Sequence, residues 1–201
     1  LLIAVHAFVC LSQPALSARF DSTLGFPGEG PRQTNPSPTL SVVSASITAW
    51  SSFVSAFTDH NDFRDAQIIA VQEHKLLPGK FGSVRSFART HGLGQAFAPA
   101  ISTTKGGLSS GVGFLWSKHL PVQAAGRTFL DPRRLSIELL TDGTPILLVT
   151  FYGPQSTSET EDLLADTLCT ARARNIPFCI MGDFNMPVDN VRDFLYAHAA
   201  L

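Results

Sequence analysis

A carboxylate and a carboxamide follow a short apolar strand near the end of this chain. The segment reads FCIMGDFN over residues 178–185, and its Asp183 and Asn185 would point to the same side of an extended chain. Such a pair can hold a water and a phosphoryl oxygen, because the carboxylate can orient or deprotonate the water while the amide donates to developing negative charge. The alternative is an Asx turn that closes the strand, since Asp, Asn and Gly are common in turns.

Two further apolar strands end in polar side chains. The segment QIIAVQE over residues 67–73 ends in Glu73, and PILLVTFY over residues 145–152 ends in Tyr152. A carboxylate suits Mg²⁺, which often takes only one or two protein carboxylates and completes its shell with water and phosphate. A phenol can donate to a phosphate oxygen. The alternatives are a solvated charge for Glu73 and a core-capping ring for Tyr152.

The order and spacing of these strands resemble the endonuclease/exonuclease/phosphatase superfamily of metal-dependent phosphoesterases. The likeness runs from about Leu40 to Asn190 and includes a glycine-led strand, GGLSSGVGFLW, at residues 106–116. The resemblance implies an α+β fold, specifically the four-layer α/β/β/α sandwich of DNase I-like proteins. It also implies that residues 40–201 supply only the amino-terminal two thirds of that fold.

The resemblance also implies roles for individual residues. Glu73 would bind Mg²⁺, with Mn²⁺ as the alternative ion, and Tyr152 would contact the scissile phosphate. Asp183 would orient or deprotonate the attacking water, and Asn185 would stabilise the transition state of an in-line hydrolysis. Ser46 stands where the family has a metal-binding Asn, so we expect it to be a weaker metal ligand.

The family completes its site with an Asp and an Asp-His pair that follow the Gly-Asp-x-Asn strand. Here one histidine follows, His198, with no Asp beside it, and we expect a surface helix residue. The expectation is therefore a sequence that stops short of the second half of the site. An inactive remnant that binds nucleic acid or a protein is the rival hypothesis.

Charge is distributed unevenly along the chain. The net charge of −1 gives no support for a strongly electrostatic nucleic-acid binder. Residues 63–134, however, carry ten Lys or Arg against three acidic residues, a local charge of +7. A phosphate-rich substrate fits this segment, so we expect an endonuclease acting on nucleic acid, with a mobile element as one source. A solvated basic surface is the alternative.

The amino-terminal part bears on localisation. Three cysteines without a Cys-x-x-Cys unit indicate neither a zinc site nor a disulfide framework, which favours a nuclear or cytoplasmic protein. Residues 1–18 resemble a signal-peptide remnant, so a secreted lipid or inositol phosphodiesterase is a further alternative. Residues 1–39 are predicted to be this apolar segment and a Gly/Pro-rich linker, with the domain at 40–201. No membrane span and no defined protein partner are expected.

The elements that must position these residues follow from the apolar pattern. We predict a loop-rich stretch from the end of the 68–72 strand to Ala100 and a hairpin over residues 135–151, whose turn is Thr-Asp-Gly-Thr. Strands are predicted at residues 40–47, 68–72, 112–116, 135–140, 146–151 and 176–181, and helices at 50–57 and 158–173.

Overall fold

The computed structural model describes residues 9–11, 40–104, 106–124, 128–140 and 143–199. The predicted linker and most of the apolar amino-terminal segment lie outside these residues, so the domain boundary at Leu40 stays a prediction. None of the helices in this part of the chain combines the length and the apolar character that a bilayer crossing requires.

The described residues form five α-helices, twelve strands and one 3₁₀ turn at Pro78–Lys80. The helices are α1 (Trp50–Asp59), α2 (Asn61–Asp65), α3 (Phe81–Thr90), α4 (Thr157–Ala173) and α5 (Val188–Ala199). The strands are β1 (Val9–Leu11), β2 (Val42–Ser46), β3 (Ile68–Gln72), β4 (Leu93–Ala98), β5 (Ile101–Ser102), β6 (Leu108–Ser109), β7 (Val112–Ser117), β8 (Val122–Gln123), β9 (Leu130–Asp131), β10 (Arg134–Leu139), β11 (Ile146–Tyr152) and β12 (Phe178–Asp183).

Two sheets carry most of these strands. One has the order β2-β3-β7-β4, and the other has the order β1-β12-β11-β10-β8, with β9 also paired to β10. Each sheet contains one parallel pair, β2 with β3 and β11 with β12. The remaining pairs are antiparallel, including the predicted hairpin of β10 and β11, which is confirmed.

Three apolar clusters separate four layers, which confirms the predicted α/β/β/α sandwich. The first lies between α1–α3 and the first sheet, where Phe53 and Val84 pack with Leu115. The second lies between the two sheets, where Phe114 packs with Ile137, and the third lies between the second sheet and the helices α4 and α5. Because both faces of the central strands are covered, the strands read as nearly continuous apolar runs.

One prediction is wrong: the stretch from residue 73 to residue 100 contains α3 and β4 in addition to loops. Gly82 and the serines of α3 have weak helix propensity, which concealed the helix in the sequence. The helix forms because Val84 and Ala88, four residues apart, are both buried against the sheet. A smaller correction concerns α4, which begins at Thr157, one residue before its predicted start, after an N-cap residue, Ser156, that makes no side-chain capping bond.

Candidate active site

The carboxyl ends of the two parallel strand pairs face each other across the sandwich. In β2 and β3, Ser46 is paired with Gln72, and in β11 and β12, Tyr152 is paired with Asp183. Ser46 Oγ donates to Asp183 Oδ2 at 2.9 Å, and Gln72 Nε2 donates to Thr150 Oγ1 at 2.8 Å. These two hydrogen bonds join the sheets at the end where all the predicted site residues lie.

Asp183 is held through both of its carboxylate oxygens. Oδ2 accepts the Ser46 hydroxyl, and Oδ1 accepts the backbone N–H of Asn185 at 3.1 Å. The second bond closes an Asx turn, which was the alternative interpretation of this segment. The turn and the convergence of side chains therefore exist together, since the turn is what fixes the carboxylate.

Asn185 connects the loops that follow β11 and β12. Its backbone has φ 50°, in the left-handed region that Asn tolerates better than most residues. Its Nδ2 donates to the carbonyl oxygen of Gly153 at 2.7 Å, and its side chain also bonds to the Tyr152 hydroxyl. The carboxamide is thus beside the phenol rather than in open solvent.

Tyr152 is a buried phenol between two polar partners. The residue is 6% exposed, and its hydroxyl bonds to the side chains of Glu73 and Asn185. Burial, together with the negative charge of Glu73, raises the pKa of Tyr152 to about 12. The phenol therefore stays protonated at neutral pH and can act as a hydrogen-bond donor.

Glu73 leaves the end of β3 in a strained conformation. It has φ 58°, and Lys75 has φ 55°, so two non-glycine residues in the left-handed region lie on either side of His74. The Lys75 ammonium lies 3.3 Å from Glu73 Oε1, and the Glu73 side chain is 25% exposed. Backbone strain of this kind persists only where the surrounding structure compensates for it.

His74 supplies that compensation, and the sequence analysis missed it. The ring is 1% exposed; its Nε2 contacts the carbonyl oxygens of Ala98 and Val112 at 3.1 and 3.3 Å, and its Nδ1 accepts the N–H of Leu76 at 3.0 Å. These partners assign the neutral tautomer with the proton on Nε2. Burial lowers the pKa of His74 to about 4. The sequence signal was a histidine directly after a fully buried strand.

The oxygen donors at this end of the sandwich fit a hard divalent cation. Glu73, Asp183, Asn185 and Ser46 offer carboxylate, carboxamide and hydroxyl oxygens, which Mg²⁺ prefers. No group of three or more His, Cys, Asp or Glu side chains within the described ranges could hold a metal ion. The donor set therefore suits an ion that keeps water or substrate in its shell, and that ion would have to displace Lys75 from Glu73.

Two further histidines, His91 and His198, do not join this site. His91 is exposed at the end of α3, and its ring packs on Phe57 and Phe87 with centroid distances of 4.8 and 4.5 Å. His198 is half-buried on α5, where its Nδ1 lies 2.8 Å from the carbonyl oxygen of Phe194. Both are explained by local packing.

Comparison with known proteins identifies the class to which this fold and site belong. Residues 24–196 match the model of the endonuclease/exonuclease/phosphatase family, which is most of the chain. The chain belongs to this family, whose members are hydrolases that act on phosphoester bonds. No curated protein matches the chain.

Several solved structures are similar to the chain. An AP endonuclease from Leishmania major has 17% identity and a TM-score of 0.41, covering 56% of this chain and 40% of its own. TDP2 from Caenorhabditis elegans has 11% identity and a TM-score of 0.48, and the match covers 70% of this chain and 42% of the TDP2 chain. The endonuclease domain of TRAS1, a telomere-specific non-LTR retrotransposon, has 13% identity and a TM-score of 0.47, and the match covers 78% of this chain and 70% of the TRAS1 domain. The chain thus spans about two fifths of the length of the first two.

Proposed function

We propose that this chain carries part of a Mg²⁺-dependent phosphoesterase site that hydrolyses phosphodiesters of nucleic acid. The observation that carries the proposal is the convergence of Glu73, Tyr152, Asp183 and Asn185, which come from three separate segments of the chain. Tyr152 bonds to Glu73 and Asn185, and it is paired with Asp183 in neighbouring strands. In a member of this family, polar side chains brought together in this way favour a catalytic site. The alternative, three strand ends whose polar residues have no common function, is less well supported.

The hydrogen bonds in the site support distinct roles for the protein groups. Asp183 is fixed by Ser46 and by its own Asx turn, so its carboxylate is oriented to accept a proton from the attacking water. Tyr152 stays protonated, so it can donate to a phosphoryl oxygen. Asn185 lies beside that phenol, where its amide can donate to the same phosphoryl group as negative charge develops.

Glu73 is the residue proposed to bind the metal ion. Bound Mg²⁺ would supply Lewis-acid polarisation of the phosphoryl group. Glu73 would hold the ion, and Ser46 would be a weak additional ligand, because its oxygen retains lone pairs while its proton is donated to Asp183. Lys75 would then leave Glu73 and become available to neutralise phosphate.

The proposal of a nucleic-acid substrate rests on charge. The basic segment of the sequence, residues 63–134, contributes Lys75 and Arg133 directly to the site. A local excess of positive charge attracts a polyanion and adds a salt-dependent component to its affinity. The named activities of the similar structures include endonucleases, which agrees with this substrate class.

Nicking of supercoiled DNA tests the proposal. The full chain is assayed with Mg²⁺ and with a chelator, beside the variants Glu73→Gln and Asp183→Asn. Each variant should lose about 10²-fold or more in rate, since each removes one charged group at the reacting phosphate. Asp162→Asn is the matched control, because Asp162 is an exposed acidic residue on α4, and it should nick at the wild-type rate.

Equal nicking by wild type and Asp183→Asn would refute the site assignment. A wild-type chain that cleaves bis(p-nitrophenyl) phosphate but not DNA or RNA would retain the phosphoesterase assignment and refute the substrate. Both comparisons are interpretable only if the variants melt cooperatively, which circular dichroism establishes.

A non-catalytic binding module is the second candidate, and one observation favours it. The Lys75 ammonium lies 3.3 Å from Glu73 Oε1, so the carboxylate proposed to bind the metal already has a cationic partner. Titration with Mg²⁺ separates the two candidates, because an ion that binds the native state raises the melting temperature. Stabilisation of the wild type by Mg²⁺ that disappears in Glu73→Gln supports the phosphoesterase. No stabilisation of the wild type by Mg²⁺ supports the binding module.

A further inference from the structure

Two adjacent arginines at the start of β10 have opposite surroundings. The guanidinium of Arg134 has three partners: its Nε donates to Asp131 at 2.8 Å, and its Nη1 donates to Asp166 and Thr167. Arg133 is different. Its Nη1 is buried, and no hydrogen-bond acceptor for this nitrogen is found among the described residues.

An unpaired buried N–H of a guanidinium is costly. The group cannot lose its proton in a protein, and leaving a buried donor unsatisfied costs about 1–3 kcal/mol, or more for a charged group. Nearly all buried polar groups in native structures have a partner, so an exception points to a bound molecule or to a functional role. Arg133 therefore requires an acceptor that the described residues do not supply.

The position of Arg133 indicates where that acceptor lies. The guanidinium carbon is 5.6 Å from the centroid of the Tyr152 ring, within the range of a cation–π contact. The carbonyl oxygen of Arg133 also accepts the Tyr152 N–H at 2.8 Å. Side chain and backbone thus both fix Arg133 to the residue proposed to contact the scissile phosphate.

A second unsatisfied donor lies on the neighbouring loop. Ser110 is fully buried with φ 58°, and its Oγ has no hydrogen-bond partner in the described part of the chain. The next residue, Gly111, donates to the carbonyl oxygen of Pro132 at 2.9 Å, so this loop adjoins the one that carries Arg133. The carbonyl oxygen of Ser110 also accepts the N–H of Lys75, which places Ser110 beside the Glu73 turn.

We propose that Arg133 is a phosphate-binding residue whose guanidinium donates to a non-bridging oxygen of the phosphate held at Tyr152. The inference rests on the proposed function and goes further, because it names a contact that selects a phosphoanion over an uncharged ligand. A guanidinium presents several N–H groups in a fixed plane and forms short, charge-assisted bonds with phosphate. The cation–π contact holds that plane beside the phenol before substrate arrives.

Binding of inorganic phosphate to the metal-free chain tests this contact separately from hydrolysis. Wild type, Arg133→Met, Arg133→Lys and Arg89→Met are titrated with phosphate, and each is followed by the shift of its own melting temperature. Arg89 is an exposed arginine near the end of α3 and is the matched control for loss of one positive charge. Phosphate should stabilise wild type and Arg89→Met, and its Kd should rise about tenfold or more in Arg133→Met, as for a lost charged hydrogen bond.

Arg133→Lys keeps the positive charge and replaces Arg133→Met if the latter does not fold. Its Kd for phosphate should rise several-fold, because an ammonium cannot reproduce the planar guanidinium contact. Equal phosphate affinities in wild type and the folded Arg133 variant, or no stabilisation of wild type, would overturn the inference.

Hydrolysis then distinguishes this inference from the function on which it rests. A chain that binds phosphate through Arg133 but cleaves no phosphodiester keeps the inference and refutes the proposed function. A chain that cleaves DNA with the same KM and kcat in wild type and Arg133→Met keeps the proposed function and refutes the inference.

Discussion

Acidification should destabilise this protein through one buried histidine, His74. Burial lowers the pKa of His74 from 6.5 to about 4, because a charged imidazolium would be desolvated in a site where the ring is 1% exposed. Protonation would also place an N–H on Nδ1, where the neutral ring accepts the N–H of Leu76. The native state therefore binds this proton less readily than the unfolded chain does.

The direction and size of the effect follow from proton linkage. Above about pH 6.5 the imidazole is neutral in both states and its contribution to stability is complete. As the pH falls from about 6.5 to about 4, the unfolded chain takes up a proton that the native state excludes, so the free energy of unfolding decreases. A difference of about 2.5 pKa units corresponds to about 3 kcal/mol, of which about 2.5 kcal/mol is lost by pH 4.5.

Urea unfolding at a series of pH values measures this loss. The signal is the fluorescence of the two tryptophans, of which Trp50 packs in the outer cluster and Trp116 in the cluster between the sheets. Carboxylates also titrate in this range, so the informative quantity is the difference between wild type and His74→Gln. His119→Gln is the control, because His119 lies in an exposed turn, and it should keep the pH dependence of the wild type.

Parallel pH profiles for wild type and His74→Gln would refute this reasoning. They would mean that the ring is protonated in the native state without a cost, and so that it is not buried as described. A difference between wild type and His74→Gln that levels off far below about 3 kcal/mol would refute the magnitude, since it would place the unfolded and native pKa values of His74 close together.

Three further outcomes are expected. Wild type and Tyr152→Phe should show the same ultraviolet absorbance change of tyrosine ionisation up to about pH 11, because burial and a neighbouring carboxylate raise the pKa of Tyr152 to about 12; a difference near pH 10 would contradict the buried phenol. Gly111→Ala should lower the free energy of unfolding by about 3 kcal/mol and Gly106→Ala by about 1 kcal/mol, since both have positive φ but only a Cβ at Gly111 would meet the His74 ring, at 2.6 Å. Equal urea midpoints for the two alanine variants would count against that contact. Ser46→Ala should slow phosphodiester cleavage about tenfold by removing the 2.9 Å hydrogen bond between the sheets, and Ser46→Thr should restore most of the rate; no rescue by threonine would argue against the hydroxyl as the cause.

The strands that carry the candidate site residues were predictable from local sequence. The strand before Glu73 has the predicted bounds, Ile68–Gln72, and the strand before Tyr152 extends the predicted one by a single residue. These strands are covered on both faces, so almost every position is apolar and the run ends where polar residues or Pro and Gly begin. The polar residue at the end of each run was therefore visible without a structure.

The helix α3 shows what local pattern could not reveal. Its intrinsic propensity is weak, and its stability comes from burying Val84 and Ala88 against a sheet whose strands are distant in sequence. The strand that follows it, Leu93–Ala98, is stabilised by pairing with Val112–Ser117. Neither the burial of α3 nor the pairing of β4 with β7 exists until the layers of the fold pack together.

The sequence by itself determined which strand ends carry polar chemistry, because the boundary between an apolar run and its polar terminus is local. Only the tertiary structure decided what those side chains contact. Ser46 and Asp183 are 137 residues apart in the chain, yet their hydrogen bond forms when the two sheets meet. Arg133 and Arg134 are identical in type and adjacent in sequence, but within the described part of the chain only Arg134 forms ion pairs with carboxylates. Hydrogen-bond partners and burial are set by groups brought together in folding, so identical neighbours can acquire different roles.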